Sequence, residues 1–497
     1  MRHATFAALA LALMTHAGAQ AQPRSVVLII GDGFDDQHVT MGRNYLAGQS
    51  GMLLLDELPV RGAVQVETVD ADGRPIYVAD SANTATSLAT GAITQISRIG
   101  KNGDDESVRT ILEAASEAGY KTGIVSTASV TDASPAAFAA HVTIRACENP
   151  VTIRGGVKYG VTFAGCPEDL VENGGAGSIA EQLAVSPVDV ILGGGMEHFV
   201  AQHETQPTAQ ALAEGAGVTF LTQAEQLSSH HFGRVIGLFS EDTMPVKWQG
   251  TDGRTAETIE RSWLNLVHQM IGSVTQPEVV KCVANPDFAV MPSLEAMTRY
   301  AVGHLSRDND KGFFLTIESA SIDKRAHDRD PCGSIGEVAQ LEDALGVVME
   351  YAEAHPETLI IVTADHAQAA QIVPDPTLYK SLPIPVFSPG KVARVVTPEG
   401  GVMRINYATN NISFQSYQDI AQQKGVKWTI PISLGDSHRG FRVMGTSRDY
   451  FSVYQYGEQR TLEFASGKQF EGVFDAVIGS EVANVLNYAI GDQVIVS

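Results

Sequence analysis

Basic residues are scarce in this chain: 34 Lys and Arg stand against 57 Asp and Glu over 497 residues, giving a formal net charge of −23 and a pI near 4.9. A surface of that sign repels nucleic-acid phosphates and anionic membranes, so no nucleic-acid-binding face is expected. An anionic substrate would have to be drawn in by local cations, meaning bound metals or a buried arginine. Long apolar runs are missing too. The run Phe6 to Met14 is too short to cross ~30 Å of hydrocarbon, and no transmembrane segment is expected in the mature chain. Repeats, low-complexity tracts and charge blocks are absent, and a 44% apolar, 18% charged composition excludes a disordered or fibrous protein.

What opens the chain has a clear purpose. Arg2, the short apolar run and Ala19-Gln20-Ala21 form the charged start, core and small-x-small cleavage site of a secretory leader over residues 1–21. The mature protein is therefore expected in the periplasm or outside the cell. In such an oxidising compartment Cys147, Cys166, Cys282 and Cys332 are expected to act as staples, since none lies in a zinc-knuckle spacing. Three pairings are open. The sequential one is favoured because each pair then encloses a loop-rich stretch.

Short β-branched runs alternate with longer helical or loop-rich spans, the pattern of an α/β fold whose mostly parallel central sheet has helices on both faces. The strand candidates are Ser25 to Ile30, Lys121 to Ser126, Val188 to Leu192, Phe313 to Ile317 and Thr358 to Thr363. Residues from about 200 to 300 look like an excursion from that sheet. Asn406, Asn410 and Asn411 mark a turn-rich join, after which the chain reads as a short α+β or β-rich tail.

Polar residues follow four of the strands: Asp32, Asp132 with Ser134, Glu318, and Asp365 with His366. Ligands of open α/β sheets gather at the carboxyl ends of strands, so these distant residues can share one site. Asp365-His366 can offer a carboxylate and an imidazole to one divalent cation. Asp323 and His327 are spaced i, i+4, which on a helix puts both on one face. Each pair alone would pass as a surface ion pair or cap; their common placement after strands argues for metal. Asp80-Ser81 precedes a helical stretch, where free N–H groups favour an anion. A capping serine is the ordinary explanation. No convincing Ser-His-Asp arrangement is evident, however, and a metal ion can activate a serine that has no histidine base. Arg145 offers a planar fork for two phosphate oxygens.

The stretches Leu28 to Gly33, Tyr77 to Thr86, Ser126 to Cys147, Gly312 to Cys332 and Ile361 to Ala367 resemble, in order and spacing, the periplasmic alkaline phosphatases. That resemblance covers residues 25–411 and implies a homodimeric enzyme that hydrolyses a broad range of phosphate monoesters. It implies Ser81 as nucleophile and Arg145 as phosphate clamp, oriented by Asp80. Asp365, His366 and Asp32 would hold one Zn²⁺ beside Ser81, and Asp323 with His327 a second Zn²⁺ that activates water. Asp32, Glu318 and Ser134, the last replacing the usual threonine, would hold Mg²⁺. Asp132 and Lys324 match the bacterial variant in which lysine reaches phosphate through water. The sequential cysteine pairing agrees with the family's disulfides. Gln368 stands where a histidine behind the metal is often found.

One family histidine, the further ligand of the water-activating zinc, has no counterpart where it is expected, near Tyr417; the nearest later candidate is His438. Residues 412–497 instead resemble a fragment of the periplasmic region of an ABC-transporter permease, through Trp428 to Asp436 and Asp475 to Gly479. The expected organisation is a leader over 1–21, a phosphatase-like domain over 22–411 and a fused or mis-joined tail. The alternative function is a metal- and phosphate-binding protein whose catalysis is impaired by the displaced ligand.

Overall fold

The structure, a computed structural model, describes residues 23–492 apart from 63, 77, 159, 230, 264–273, 369, 374–390, 408–420, 423–425, 439–440, 457–459, 471 and 473–474. The leader at residues 1–21 lies outside the described residues.

Seven parallel strands make the central sheet: β1 (Ser25–Gly31), β2 (Lys121–Ser129), β3 (Val190–Gly194), β4 (Thr219–Leu221), β5 (Val235–Leu238), β6 (Phe313–Ser319) and β7 (Thr358–Ala364), in the order β7-β1-β6-β2-β3-β5-β4. A strand buried on both faces loses the alternation of polar and apolar residues, as Val26 to Ile30 does. Its neighbouring side chains enter two different cores. Leu28 and Ile30 belong to one core with Ile124, Ile191 and Phe314; Val27 and Ile29 belong to another with Val125, Leu192 and Leu315. Helix α3 (Ile179–Val185) covers the first face with Ile179, Ala180 and Leu183. Helices α4 (Leu294–Ser306) and α6 (Pro331–Ala354) cover the second. Leu294, Met297, Ala301 and Leu305, and likewise Val338, Leu341, Leu345 and Val348, recur every three or four residues, so each set forms one helical stripe.

All five expected strands belong to this sheet, but residues 200–300 are not wholly an excursion from it. Strands β4 and β5 extend the sheet, and at three and four residues they are too short for their period to stand out from loop sequence. Asn406 is likewise no turn residue. It is buried in the strand Val402–Tyr407 of a second sheet, with Lys391–Val396, Ala370–Ile372, Glu257–Thr258 and Val279–Val280. Asn410 and Asn411 lie outside the described residues.

The chain divides into two compact units, residues 1–58 with 66–408, and residues 59–65 with 409–497. In the second, Ile432–His438 pairs antiparallel with Phe441–Thr446 across a bulge, and helices span Asp449–Val453 and Ser480–Leu486. Phe451 packs its ring against Phe464 and Phe470 at 5.4 and 5.3 Å.

The cysteines pair sequentially, Cys147 with Cys166 and Cys282 with Cys332, at Cα separations of 6.4 and 5.2 Å. The first bond closes a loop of separation 19 just beyond Arg145. Replacing both Cys147 and Cys166 with serine is expected to lower unfolding free energy by about 3 kcal/mol, the loop-closure value for that length. Urea unfolding without reductant measures it; an unchanged midpoint would show that the loop is held by other contacts.

Candidate active site

Register alone brings the acidic residues together. Gly31 pairs with Ser319 on one side and Ala364 on the other, so Asp32 and Asp365 both lie one step beyond the same row. Glu318 sits one row below, paired with Ile30 and Ser126; it lies within β6 rather than after it. The turn behind Asp32 needs a glycine. Gly33 has φ +67°, and a Cβ there would sit 3.1 Å from the Cβ atoms of Asp323 and Gln368. Its N–H donates to Asp365 Oδ1 at 3.0 Å, tying the ends of β1 and β7.

Helix α1 (Ser81–Thr90) carries the hydroxyl. Its cap is Asp80, whose side chain accepts from the Asn83 N–H at 3.1 Å, so Ser81 is not the capping residue. Its Oγ is left to face the strand ends, 3.4 Å from Asp32 Oδ1 and 3.1 Å from His366 Nε2. A histidine thus stands beside the serine. The contact is no Ser-His-Asp triad, in which the carboxylate accepts a hydrogen bond from the other ring N–H. Here Asp32 and Asp365 approach the same Nε2, each at 3.5 Å, while Nδ1 faces the Ala367 carbonyl at 3.0 Å.

That hydrogen-bonding pattern tests the site for a cation. Since Nδ1 must donate to a carbonyl, the neutral ring offers a lone pair at Nε2, aimed at the carboxylates. Donor atoms of Asp32, Asp323 and His366 lie within 4.8 Å of one another. Burial pushes the Asp32 carboxyl well above its ordinary range, and Asp365, Asp323 and Glu318 push it further, with Lys324 opposing. Burial likewise raises Glu318 to about 7, although Ser126 donates to it at 2.5 Å. Burial alone would lower the His366 pKa, but Asp365 and Asp323 outweigh it and raise it. All three shifts report a region that favours positive charge. The donor set fits a divalent cation. Ser134, on the short helix α2 (Ala133–Ala136), is buried beside Glu318 without a well-formed hydrogen bond, so its hydroxyl is available to the same region.

Cations of the protein itself stand opposite. Arg145 donates to Asp132 Oδ1 at 2.8 Å and approaches Asp80 Oδ2 at 3.5 Å; Lys324 binds the other oxygen of Asp132. Burial would raise the Asp132 pKa, yet Lys324, Arg145 and Lys158 overcome it and hold the carboxyl well below the usual range.

Residues 23–460 match the family described as Alkaline phosphatase. The chain belongs to the alkaline phosphatase family. It is 39% identical over 407 residues to streptomycin-6-phosphate phosphatase of Streptomyces griseus, covering 80% of this chain and 83% of that one. It is 37% identical over 410 residues to alkaline phosphatase H of Pseudomonas aeruginosa, covering 80% and 79%. Among solved structures it is similar to a cold-active alkaline phosphatase from a psychrophilic Shewanella, with TM-score 0.51 and 25% identity over 71% of this chain and 70% of that one. The enzyme is a phosphoric monoester hydrolase. The family match enters the segment assigned by sequence to a permease-like tail.

In this alkaline phosphatase, Asp323 and His327 share the helix α5 (Ser321–His327), with His327 Nε2 at 3.4 Å from Asp323 Oδ2 and its side chain 71% exposed. Asp323 therefore adjoins both the Asp32 and His366 donors and its own histidine. Gln368 donates to Asp323 Oδ1. His438 ends a strand in the second unit, and its side chain is outside the described residues. Two contributors were missed in the sequence: Ser126, the donor to Glu318, and Thr84, whose hydroxyl reaches Asp365 Oδ2 at 3.4 Å. Thr84 lies three residues after Ser81, so helical spacing would have placed it on the same face.

Proposed function

We propose that this enzyme hydrolyses a broad range of phosphate monoesters through a covalent phosphoserine at Ser81. The observation that supports it most is the uncapped Ser81 hydroxyl at the start of α1, surrounded by Asp32 and His366. Asp32, Asp365 and His366 would hold one Zn²⁺; Asp323 and His327 a second, with His438 the candidate further ligand; Asp32, Glu318 and Ser134 Mg²⁺. Once bound, the ions supply Lewis acidity for the entering and leaving oxygens of an in-line displacement. Arg145 pairs with two phosphate oxygens while Asp132 fixes its guanidinium and positions Lys324. Ser81 Oγ bonds to phosphorus as the alcohol oxygen departs with a proton, and water then cleaves the Ser81 ester to release phosphate. Little in this set touches the alcohol, hence the breadth. Streptomycin 6-phosphate belongs on the substrate panel because of the Streptomyces griseus relative. The leader and disulfides support a periplasmic or secreted location, and the family resemblance a homodimer.

Metal analysis after dialysis, alongside hydrolysis of an aryl phosphate at alkaline pH, tests the reading. Two zinc and one magnesium per chain are expected, with activity lost to chelator and recovered on adding both metals; turnover by fully metal-free enzyme would overturn it. A second reading has its own support. Open catalytic zinc sites normally keep three protein ligands, whereas among the described residues the second position offers Asp323 and the exposed His327. One tight zinc and phosphate binding with slow turnover would favour that impaired enzyme.

A further inference from the structure

Three residues beyond Arg145 the chain buries another carboxylate. Glu148 is 2% exposed; its Oε1 accepts from Thr131 Oγ1 at 3.4 Å, and its Oε2 pairs with Lys158. Thr131 directly precedes Asp132, the acceptor of Arg145 and Lys324. The loops carrying Asp132 and Arg145 are thus joined twice, by the ion pair itself and by Thr131 to Glu148. Lys158 comes from an antiparallel hairpin, Gly156–Lys158 with Val161–Phe163, inside the loop closed by Cys147 and Cys166. A buried carboxylate is costly without a counter-charge, and burial raises Glu148 to about 7 even with Lys158 present.

The neighbouring histidine does not turn this region into a metal site. Asn149 Oδ1 accepts the Val151 and Thr152 N–H groups, both at 2.9 Å, so its amide nitrogen is the atom that donates to His198 Nδ1, at 2.9 Å. The neutral ring then carries its proton on Nε2, which faces Glu197 at 3.5 Å and Glu148 at 3.7 Å. Glu197, His198 and Asp242 have donor atoms within 4.8 Å, yet the imidazole has no lone pair left for a cation.

We infer that Lys158 is a positioning residue of the phosphate clamp: by pairing with Glu148 it holds the Arg145 loop in register with Asp132. This rests on the reading of Arg145 as the clamp. Lys158→Gln is expected to raise KM for an aryl phosphate, and to weaken competitive inhibition by inorganic phosphate, by about five-fold or more, with kcat changed less than about two-fold. Lys158→Arg, which keeps the charge, restores both. Thr131→Val, which cuts the other bond to Glu148, shifts KM in the same direction. In a Glu148→Gln background Lys158→Gln adds little, because the carboxylate it acts through is gone. An undiminished effect there would mean that Lys158 acts by a route other than Glu148 and would overturn the positioning role. Arg145→Ala separates the two levels. Weakened phosphate inhibition in Arg145→Ala with none in Lys158→Gln overturns the Lys158 role alone, whereas unchanged inhibition in Arg145→Ala overturns the clamp reading beneath it.

Discussion

Replacing Ser81 with alanine is expected to abolish phosphoenzyme formation and to lower kcat for an aryl phosphate by about 10³-fold or more, the scale of losing a nucleophile. The reason is local. Asp80 supplies the cap and also accepts from the Ser97 N–H at 3.1 Å, so the protein has already used a carboxylate for the work a helix-initiating serine would otherwise do. Ser81 is only 6% exposed, and no backbone acceptor competes for its hydroxyl among the described contacts. Alanine leaves α1, its free first-turn N–H groups and Arg145 in place, so inhibition by inorganic phosphate should survive within a few-fold. Acid quenching with radiolabelled substrate reads the covalent species directly. A labelled protein band that persists in the variant, or an unchanged single-turnover rate, would remove Ser81 from the reaction.

The parts of this site that sequence reveals are those produced by local rules. Asp32, Glu318, Asp365 and His366 adjoin apolar runs whose strand character is plain, and the spacing of Asp323 and His327 needs only a helix. Their convergence follows from the parallel pairing of β1 with β6 and β7. What sequence hides is non-local. Ser81 and His366 are 285 positions apart, and no periodicity announces a contact between them. Choosing the partner of Arg145 is a similar case: the family resemblance implies Asp80 as its orienter, whereas Asp132 is the closer acceptor, at 2.8 against 3.5 Å. Strands β4 and β5 escape notice because three or four residues carry no usable period. Asn406 misleads because asparagine's usual preference for turns gives way to burial within a sheet, a tertiary effect that composition does not encode.

The buried acids have a further consequence, which is seen most clearly when the metals are removed. Chelation is expected to abolish activity and also to destabilise the protein, by an amount that grows from pH 5 to pH 8. The sign follows from the shifts. In the metal-free fold Asp32 is raised well above 3.8 and Glu318 from 4.5 to about 7. Below the ordinary carboxylate range both are protonated in folded and unfolded chains alike and contribute no difference. As pH rises the unfolded chain ionises first, so stability falls until the folded groups ionise as well. For Glu318 the displacement corresponds to roughly 3 kcal/mol, fully felt above pH 7. His366 works in the same direction, since its folded pKa is raised: the stability it adds is present below the unfolded value near 6.5 and lost as pH climbs through the folded one. A bound divalent cation reverses this balance, because the ionised carboxylates and the neutral imidazole become its ligands. Metal-replete and metal-stripped protein should therefore differ modestly in Tm at pH 5 and widely at pH 8, measurable by calorimetry in matched buffers. A gap that is constant or narrows with pH would mean that no cation sits among Asp32, Glu318 and His366. By the same argument, a cation bound among these donors is expected to add most stability at alkaline pH, where the carboxylates are ionised and repel one another without it.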